Sequence, residues 1–478
     1  MKNQVFNPYL PSYEYIPDGE PHIFNGRVYV YGSHDKFGSS GFCVNNYVTW
    51  SAPVEDLSDW RYEGVILKRE DDPNNKHKAA LYAPDVCQGP DGRYYIYFSP
   101  APGFGKKTLY VAVAVSDSPA GPFTYHGKVD LSKWIKSYVP FDPAVYVEDG
   151  HVYLYYGSGV YPPISFFISK KGVKGGAVVE LDPKDMYTVI TEPVMTVPMK
   201  TTDTTGEYGD HVFFEASSMR KIGSRYYFVY SSQLGHELCY AVGDTPTGPF
   251  TYGGILVSNG DIGLGARTNP KTACNYTGNT HGGLLNLGDK TYVFYHRHTN
   301  RHDFARQDCA ELLPVNADGS FGQAEVTSCG LNGGPLAGTG EYEARIACHL
   351  TSKKGDRFYS IFRGIAGSEP FITQTGKDRE DNPDQYVANI HDGTTVGYKY
   401  FDLSATASVG VRFAGKGQGK LIVRTSLDGS PVAEIAVSGT GAGKQEAEAA
   451  LSGCSAKSAL YFTYEGKGSI DLHTVILK

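Results

Sequence analysis

Long apolar runs are missing from this chain: no stretch of its 478 residues is long and apolar enough to cross a membrane as a helix. Runs of Lys or Arg are missing too, and the net charge is a modest −7. Nucleic acid and anionic membrane surfaces are therefore not expected as partners. Cysteine is sparse and never paired. Cys43, Cys87, Cys239, Cys274, Cys309, Cys329, Cys348 and Cys454 stand singly, with no C-x-x-C spacing. That pattern argues against a zinc site or a disulfide scaffold and predicts buried, reduced thiols. The first residues, Met1-Lys2-Asn3-Gln4, run into Asn7-Pro8-Tyr9-Leu10 with no apolar h-region, so a cytoplasmic location is expected. Helical periodicity is scarce as well.

Aromatic strands are what the chain has instead. It holds 36 Tyr and 23 Phe in a 13% aromatic share, which suits pleated strands and stacking on sugar rings. One unit, a Gly-containing turn followed by an aromatic strand, returns five times. Its copies are centred on Gly26-Arg27-Val28-Tyr29, Gly92-Arg93-Tyr94-Tyr95, Gly150-His151-Val152-Tyr153, Ser224-Arg225-Tyr226-Tyr227 and Asp289-Lys290-Thr291-Tyr292. The equivalent tyrosines are 66, 58, 74 and 65 residues apart. A second phrase, Ser116-Asp117-Ser118-Pro119-Ala120-Gly121-Pro122-Phe123, is echoed by Gly243-Asp244-Thr245-Pro246-Thr247-Gly248-Pro249-Phe250. A period near sixty built from strands alone predicts an all-β fold, a five-bladed β-propeller of four-stranded blades, over residues 1–325.

Ten to twelve residues before each equivalent Tyr stand Asp18, Asp85, Asp142, Glu215 and His281. In a ring of blades the start of each innermost strand points at the central channel, so five ionisable residues in one phase converge on one axis. Any one of them alone reads as a turn residue, as in Asp18-Gly19 or Asp142-Pro143. Five in phase do not. Paired carboxylates are what glycoside hydrolysis needs: a protonated acid for the leaving oxygen and an ionised base for water. A third carboxylate beside the acid would hold its pKa up.

At these residues the chain resembles glycoside hydrolase family 43, five-bladed propeller enzymes that trim xylan and arabinan side chains. The resemblance rests on Asn7-Pro8-Tyr9-Leu10-Pro11 through Pro17-Asp18, on Phe141-Asp142-Pro143-Ala144-Val145, and on Phe213-Phe214-Glu215-Ala216-Ser217. It implies an inverting mechanism with Asp18 as general base, Asp142 tuning the acid, and Glu215 as general acid. Leu81-Tyr82-Ala83-Pro84-Asp85 resembles the segment lining the sugar subsite, and Arg297 is expected to contact sugar. His281 sits where such enzymes often hold a metal ion, usually calcium, through water. No cofactor is expected for the chemistry itself. One departure stands out: the family usually has Pro after the base, whereas Asp18 is followed by Gly19, and Glu20-Pro21 is a rival match. Repeat phase favours Asp18.

The resemblance implies an exo-acting α-L-arabinofuranosidase on arabinoxylan- or arabinan-derived oligosaccharides, with β-xylosidase activity as the alternative. A non-catalytic sugar-binding propeller is the reading from another class. His296-Arg297-His298 reads as polar strand-end residues rather than a metal cluster. Beyond a Gly-rich linker at 326–340, runs such as Lys420-Leu421-Ile422-Val423-Arg424-Thr425 alternate with period two and predict a β-sandwich over 341–478. There Tyr386-Val387-Ala388-Asn389-Ile390, Val396-Gly397-Tyr398-Lys399-Tyr400-Phe401-Asp402 and Gly468-Ser469-Ile470-Asp471-Leu472 resemble carbohydrate-binding module family 6. We expect this module to buttress the enzyme rather than to bind sugar.

Overall fold

Turns containing Gly, Asn or Asp cut the first two thirds of the chain into short strands, and consecutive strands pair with their neighbours. The computed structural model describes residues 4–75, 80–101, 110–135, 140–157, 175–353, 369–379 and 384–478. Among these, the only helical elements are three single 3-10 turns. The first sheet is β1 (Glu20–Phe24), β2 (Arg27–Tyr31), β3 (Tyr47–Pro53) and β4 (Arg61–Leu67). The second is β5 (Ala80–Gln88), β6 (Tyr94–Ala101), β7 (Tyr110–Ser116) and β8 (Thr124–Asp130). The third holds β9 (Ala144–Glu148), β10 (His151–Gly157), β11 (Gly175–Leu181) and β12 (Val194–Pro198). The fourth holds β13 (Phe213–Ile222), β14 (Arg225–Ser232), β15 (Glu237–Gly243) and β16 (Thr251–Ser258). The fifth has three strands, β17 (Leu284–Leu287), β18 (Lys290–His298) and β19 (Arg306–Leu312). Every pairing in these sheets is antiparallel, in chain order.

The repeat lands where the sequence phase puts it. Tyr29, Tyr95, Tyr153, Tyr227 and Tyr292 all fall on the second strand of their sheets, and the echoed Pro-Phe phrase joins third to fourth strand in sheets two and four. These second strands are apolar at nearly every position because both of their faces are covered. On β2, Val28 and Val30 enter a core shared with sheet five, while Tyr29 and Tyr31 enter one shared with sheet two. On β6, Tyr95 and Tyr97 pack towards sheet three and Ile96 and Phe98 towards sheet one. On β14, Phe228 and Tyr230 face sheet three and Tyr227 and Val229 face sheet five. Period-two alternation thus distributes side chains between two cores instead of between core and water. The fifth sheet packs on the first through Leu285, Tyr292 and Phe294 against Val28, Val30 and Trp50.

The C-terminal part forms two six-stranded sheets over one core that includes Tyr398, Phe401, Val411, Leu421, Phe462 and Leu472. Segment 326–340, read as a linker, is packed in place: Leu331 and Leu336 are buried, and Thr327 donates from its N–H and hydroxyl to Glu311. Lys399, buried with Asp261 at 2.9 Å and Glu325 at 3.0 Å, ties the two parts together.

Candidate active site

A left-handed residue marks the start of the first strand in four sheets: Asp18 (φ 61°), Ala83 (φ 30°), Asp142 (φ 46°) and Ala216 (φ 68°). Asp tolerates this region through its short polar side chain. Ala83 and Ala216 adopt it inside register shifts of β5 and β13, the kind of bulge that re-aims a neighbouring side chain. At Asp18 the next residue has to be glycine. A Cβ on Gly19 would lie 1.9 Å from Asp308 Oδ2, which accepts from the Tyr9 hydroxyl. Asp308 occupies the space a side chain would need, so glycine is the residue that fits after Asp18 without moving it.

Two buried groups grip Asp18. Arg306 Nη1 donates to its Oδ1 at 3.2 Å, and Arg306 is itself held by Asp35 through Nε (2.9 Å), Nη2 (3.0 Å) and its backbone N–H (3.0 Å). His296 Nε2 faces the Asn279 carbonyl at 2.9 Å and must carry the proton there. Its Nδ1 is thereby free to accept the Asp18 backbone N–H at 3.2 Å. Burial alone would raise the pKa of Asp18 and is the largest single influence, but the Arg306 guanidinium together with the neighbouring His296 and His281 outweighs it. Its carboxylate is held well below the usual carboxylate range.

The opposite holds at Glu215, on β13 and partly open to solvent. Burial, then the charges of Asp142 and Asp18, push it up to about 8. Asp142 accepts the Ala216 N–H at 2.9 Å, one residue from the acid, and burial sets it at about 6. Asp142 is therefore ionised over the range in which Glu215 titrates. His281 lies between carboxylates, with Nδ1 3.6 Å from Asp142 and Nε2 3.7 Å from Glu20. Burial opposes its charge, but those neighbours and Asp18 lift it to about 9.

Asp18, Asp142, Glu215 and His281 thus share one cluster, while two other expected residues are committed elsewhere. Asp85 is fully buried; Oδ1 meets His22 Nε2 at 2.6 Å and the Val86 N–H, and Oδ2 accepts the Val145 N–H at 2.8 Å, joining sheets two and three. Arg297 alternates with His296 on β18 and so points the other way, donating to the Ala347 carbonyl and to Gln307. Glu20, the rival base, is paired with Arg220 at 2.7 Å and accepts from Ser218 at 2.9 Å. Sequence phase overlooked Arg306, Asp35 and His296, because it counted only first strands and these lie on β19, a loop and the end of β18.

One carboxyl held ionised beside an arginine and another pushed up by burial and neighbouring carboxylates, in one cluster, is an arrangement able to support general acid–base hydrolysis. Residues 24–321 match the model for glycosyl hydrolases family 43, and the chain belongs to that family. It is a glycoside hydrolase, which sets aside the non-catalytic alternative. A xylosidase/arabinosidase of Thermoclostridium stercorarium is 44% identical over 487 aligned residues, covering 100% of this chain and 99% of its own. A xylosidase/arabinosidase of Bacteroides ovatus is 30% identical over 316 residues, 60% of this chain and 87% of that protein. Among solved structures, a family 43 arabinoxylan arabinofuranohydrolase from Bacillus subtilis, in complex with cellotetraose, aligns over 98% of this chain and 96% of its own. Its TM-score is 0.51 at 23% identity, a likeness of fold.

The charge of Asp142 gives a direct test of the acid's tuning. Replacing Asp142 by Asn removes a negative neighbour, so Glu215 ionises at lower pH. The basic limb of the kcat/KM profile is expected to move down by roughly one pH unit. An unmoved limb would reduce Asp142 to its hydrogen bond with Ala216.

Proposed function

We propose that the enzyme releases terminal α-L-arabinofuranose from arabinoxylan- or arabinan-derived oligosaccharides by single displacement with inversion, β-xylosidase activity being the close alternative. The carrying observation is the contrast between two carboxyls in one cluster: Asp18 accepts from the Arg306 guanidinium at 3.2 Å, whereas Glu215 stands one residue from the N–H that Asp142 accepts and is pushed up to about 8 by burial and the charges of Asp142 and Asp18. Glu215 gives its proton to the leaving glycosidic oxygen as that bond breaks. Asp18 takes a proton from the water whose oxygen bonds to the anomeric carbon, and both carboxyls reset by exchange with solvent. The relatives' names, xylosidase/arabinosidase in both cases, support this pair of sugars. Incubation with nitrophenyl α-L-arabinofuranoside and nitrophenyl β-xyloside tests the reading. Release from at least one, faster from the arabinoside, is expected; release from neither would overturn it.

The architecture we propose for this chemistry is a five-bladed propeller with the cluster at its axis, followed by a β-sandwich over 341–478. Five shared cores, the last between sheets five and one, support the first. One core between two six-stranded sheets supports the second. In this reading Asp85 acts on the sugar subsite through the backbone it holds, and Arg297 would reach sugar only by leaving Ala347 and Gln307.

A calcium ion beside His281 has a donor set that fits. Glu20 Oε1 and His281 Nε2 are buried, without a hydrogen-bond partner, and 3.7 Å apart. Calcium prefers oxygen, so Glu20 would hold it with water, and His281 would face that water. When bound, the ion would supply positive charge near the carboxylates. Eight cysteines, all free and seven buried, support a reducing, cytoplasmic setting for short imported oligosaccharides.

A further inference from the structure

The C-terminal region approaches the site with the segment Gln374–Arg379, and Gln385 Nε2 also donates to the Tyr15 hydroxyl at 3.1 Å. Asp378 Oδ1 accepts the Phe37 N–H at 2.7 Å, and its Oδ2 accepts from Asn45 Nδ2 at 3.2 Å. Asn45 Nδ2 also donates to the Asp35 carbonyl at 2.9 Å, and Asp35 Oδ1 accepts the Cys43 N–H at 2.9 Å. The loop between β2 and β3 is thus clamped on both sides of Asp35, whose carboxylate carries Arg306. Arg379 Nη1 reaches the buried Glu14 at 2.5 Å, beside His34 at 3.0 Å. Gln374 accepts from the Tyr15 hydroxyl, three residues before Asp18. Both strings of contacts end on Asp18: one along its own chain, the other through Asp35 and Arg306.

From this juxtaposition we propose that Asp378 is a positioning residue for the catalytic base, acting through Asn45, Asp35 and Arg306, so that the C-terminal region is a working part of the active site. The inference rests on the reading of Asp18 as base. It goes beyond a buttress, because among the contacts spread along the boundary, such as Tyr276 to the Pro370 carbonyl and the Asn300 N–H to the Ile372 carbonyl, these fall on the segments that orient one carboxylate. The Lys399–Asp261–Glu325 cluster already fastens the two parts at a different place. The base must also be oriented to within a fraction of an ångström, since a 1 Å misplacement costs on the order of a hundredfold in rate.

The test is kinetic, in the full chain. Asp378→Ala is expected to lower kcat by roughly ten- to a hundredfold with KM little changed. Asp378→Asn keeps an acceptor for the Phe37 N–H and should recover part of that loss. Tyr400→Phe removes the 2.7 Å bond to Glu325, weakening the other attachment, and should leave kcat at the parental value. Combining Asp378→Ala with Asp35→Asn should cost less than the product of the two single losses, because both act on Arg306. If Asp378→Ala does not fold, Asn45→Ala breaks the same relay from the other side and should show the same kcat loss. Parental kcat in Asp378→Ala, while Asp18→Ala is inactive, overturns the proposal alone. So do equal losses in Asp378→Ala and Tyr400→Phe. Parental kcat in Asp18→Ala would overturn the base assignment and the proposal with it.

Discussion

Glu215→Ala is expected to lose about 10²–10⁴ in kcat on substrates with poor leaving groups, the range supplied by a positioned general acid. Its fold should persist, because Glu215 is partly open to the cleft and contributes little to any of the shared cores. A nitrophenyl glycoside, whose leaving group departs without a proton, should be spared much of the loss. The pH profile adds a separate check. In the proposed role Glu215 acts protonated, and burial with the charges of Asp142 and Asp18 pushes it up to about 8. Parental activity should fall as pH rises through that value, and the fall should be missing in the variant. Equal loss on good and poor leaving groups, in a folded variant, would remove Glu215 from the role of acid.

Asp18→Ala is expected to be at least as damaging, and to be repaired in a distinctive way. The vacated space lies beside the Arg306 guanidinium, which favours a small anion. Azide should enter it and attack the anomeric carbon, giving a glycosyl azide and restoring part of the turnover. With Asp18 present, proton NMR of the first-formed sugar should show the anomeric configuration opposite to that of the substrate. Retention would turn Asp18 from base into nucleophile. Glu20→Ala provides the contrast. Its carboxylate pairs with Arg220 and accepts from Ser218, so its loss should lower the melting temperature, and azide should not help.

The repeat was legible in the sequence because it is local. A turn followed by an aromatic strand needs only neighbouring residues, and its copies pointed to Asp18, Asp142, Glu215 and His281 near the starts of first strands before any packing was known, while Asp85 falls inside β5, in the register of Glu20. Repeat phase favours Asp18 over Glu20 as the proposed base; that each is paired to an arginine, Arg306 and Arg220, is something no count of residues reveals.

Tertiary structure decided the rest, and for one reason. A carboxyl's protonation depends on what lies within a few ångströms, and those neighbours come from distant parts of the chain. Arg306 meets Asp18 from 288 residues away, and the Ala216 N–H meets Asp142 from 74. The requirement for Gly19 is likewise written in Asp308, on the last strand of the fifth sheet. Asp85 departs from the phase counted in the sequence: it stands opposite Tyr97 as Glu20 stands opposite Tyr31, and it spends its oxygens on His22 and two backbone N–H groups. Local pattern determined which residues stand at the strand starts. Contacts between remote segments decided which of them is held ionised, which is pushed towards protonation, and which joins the sheets.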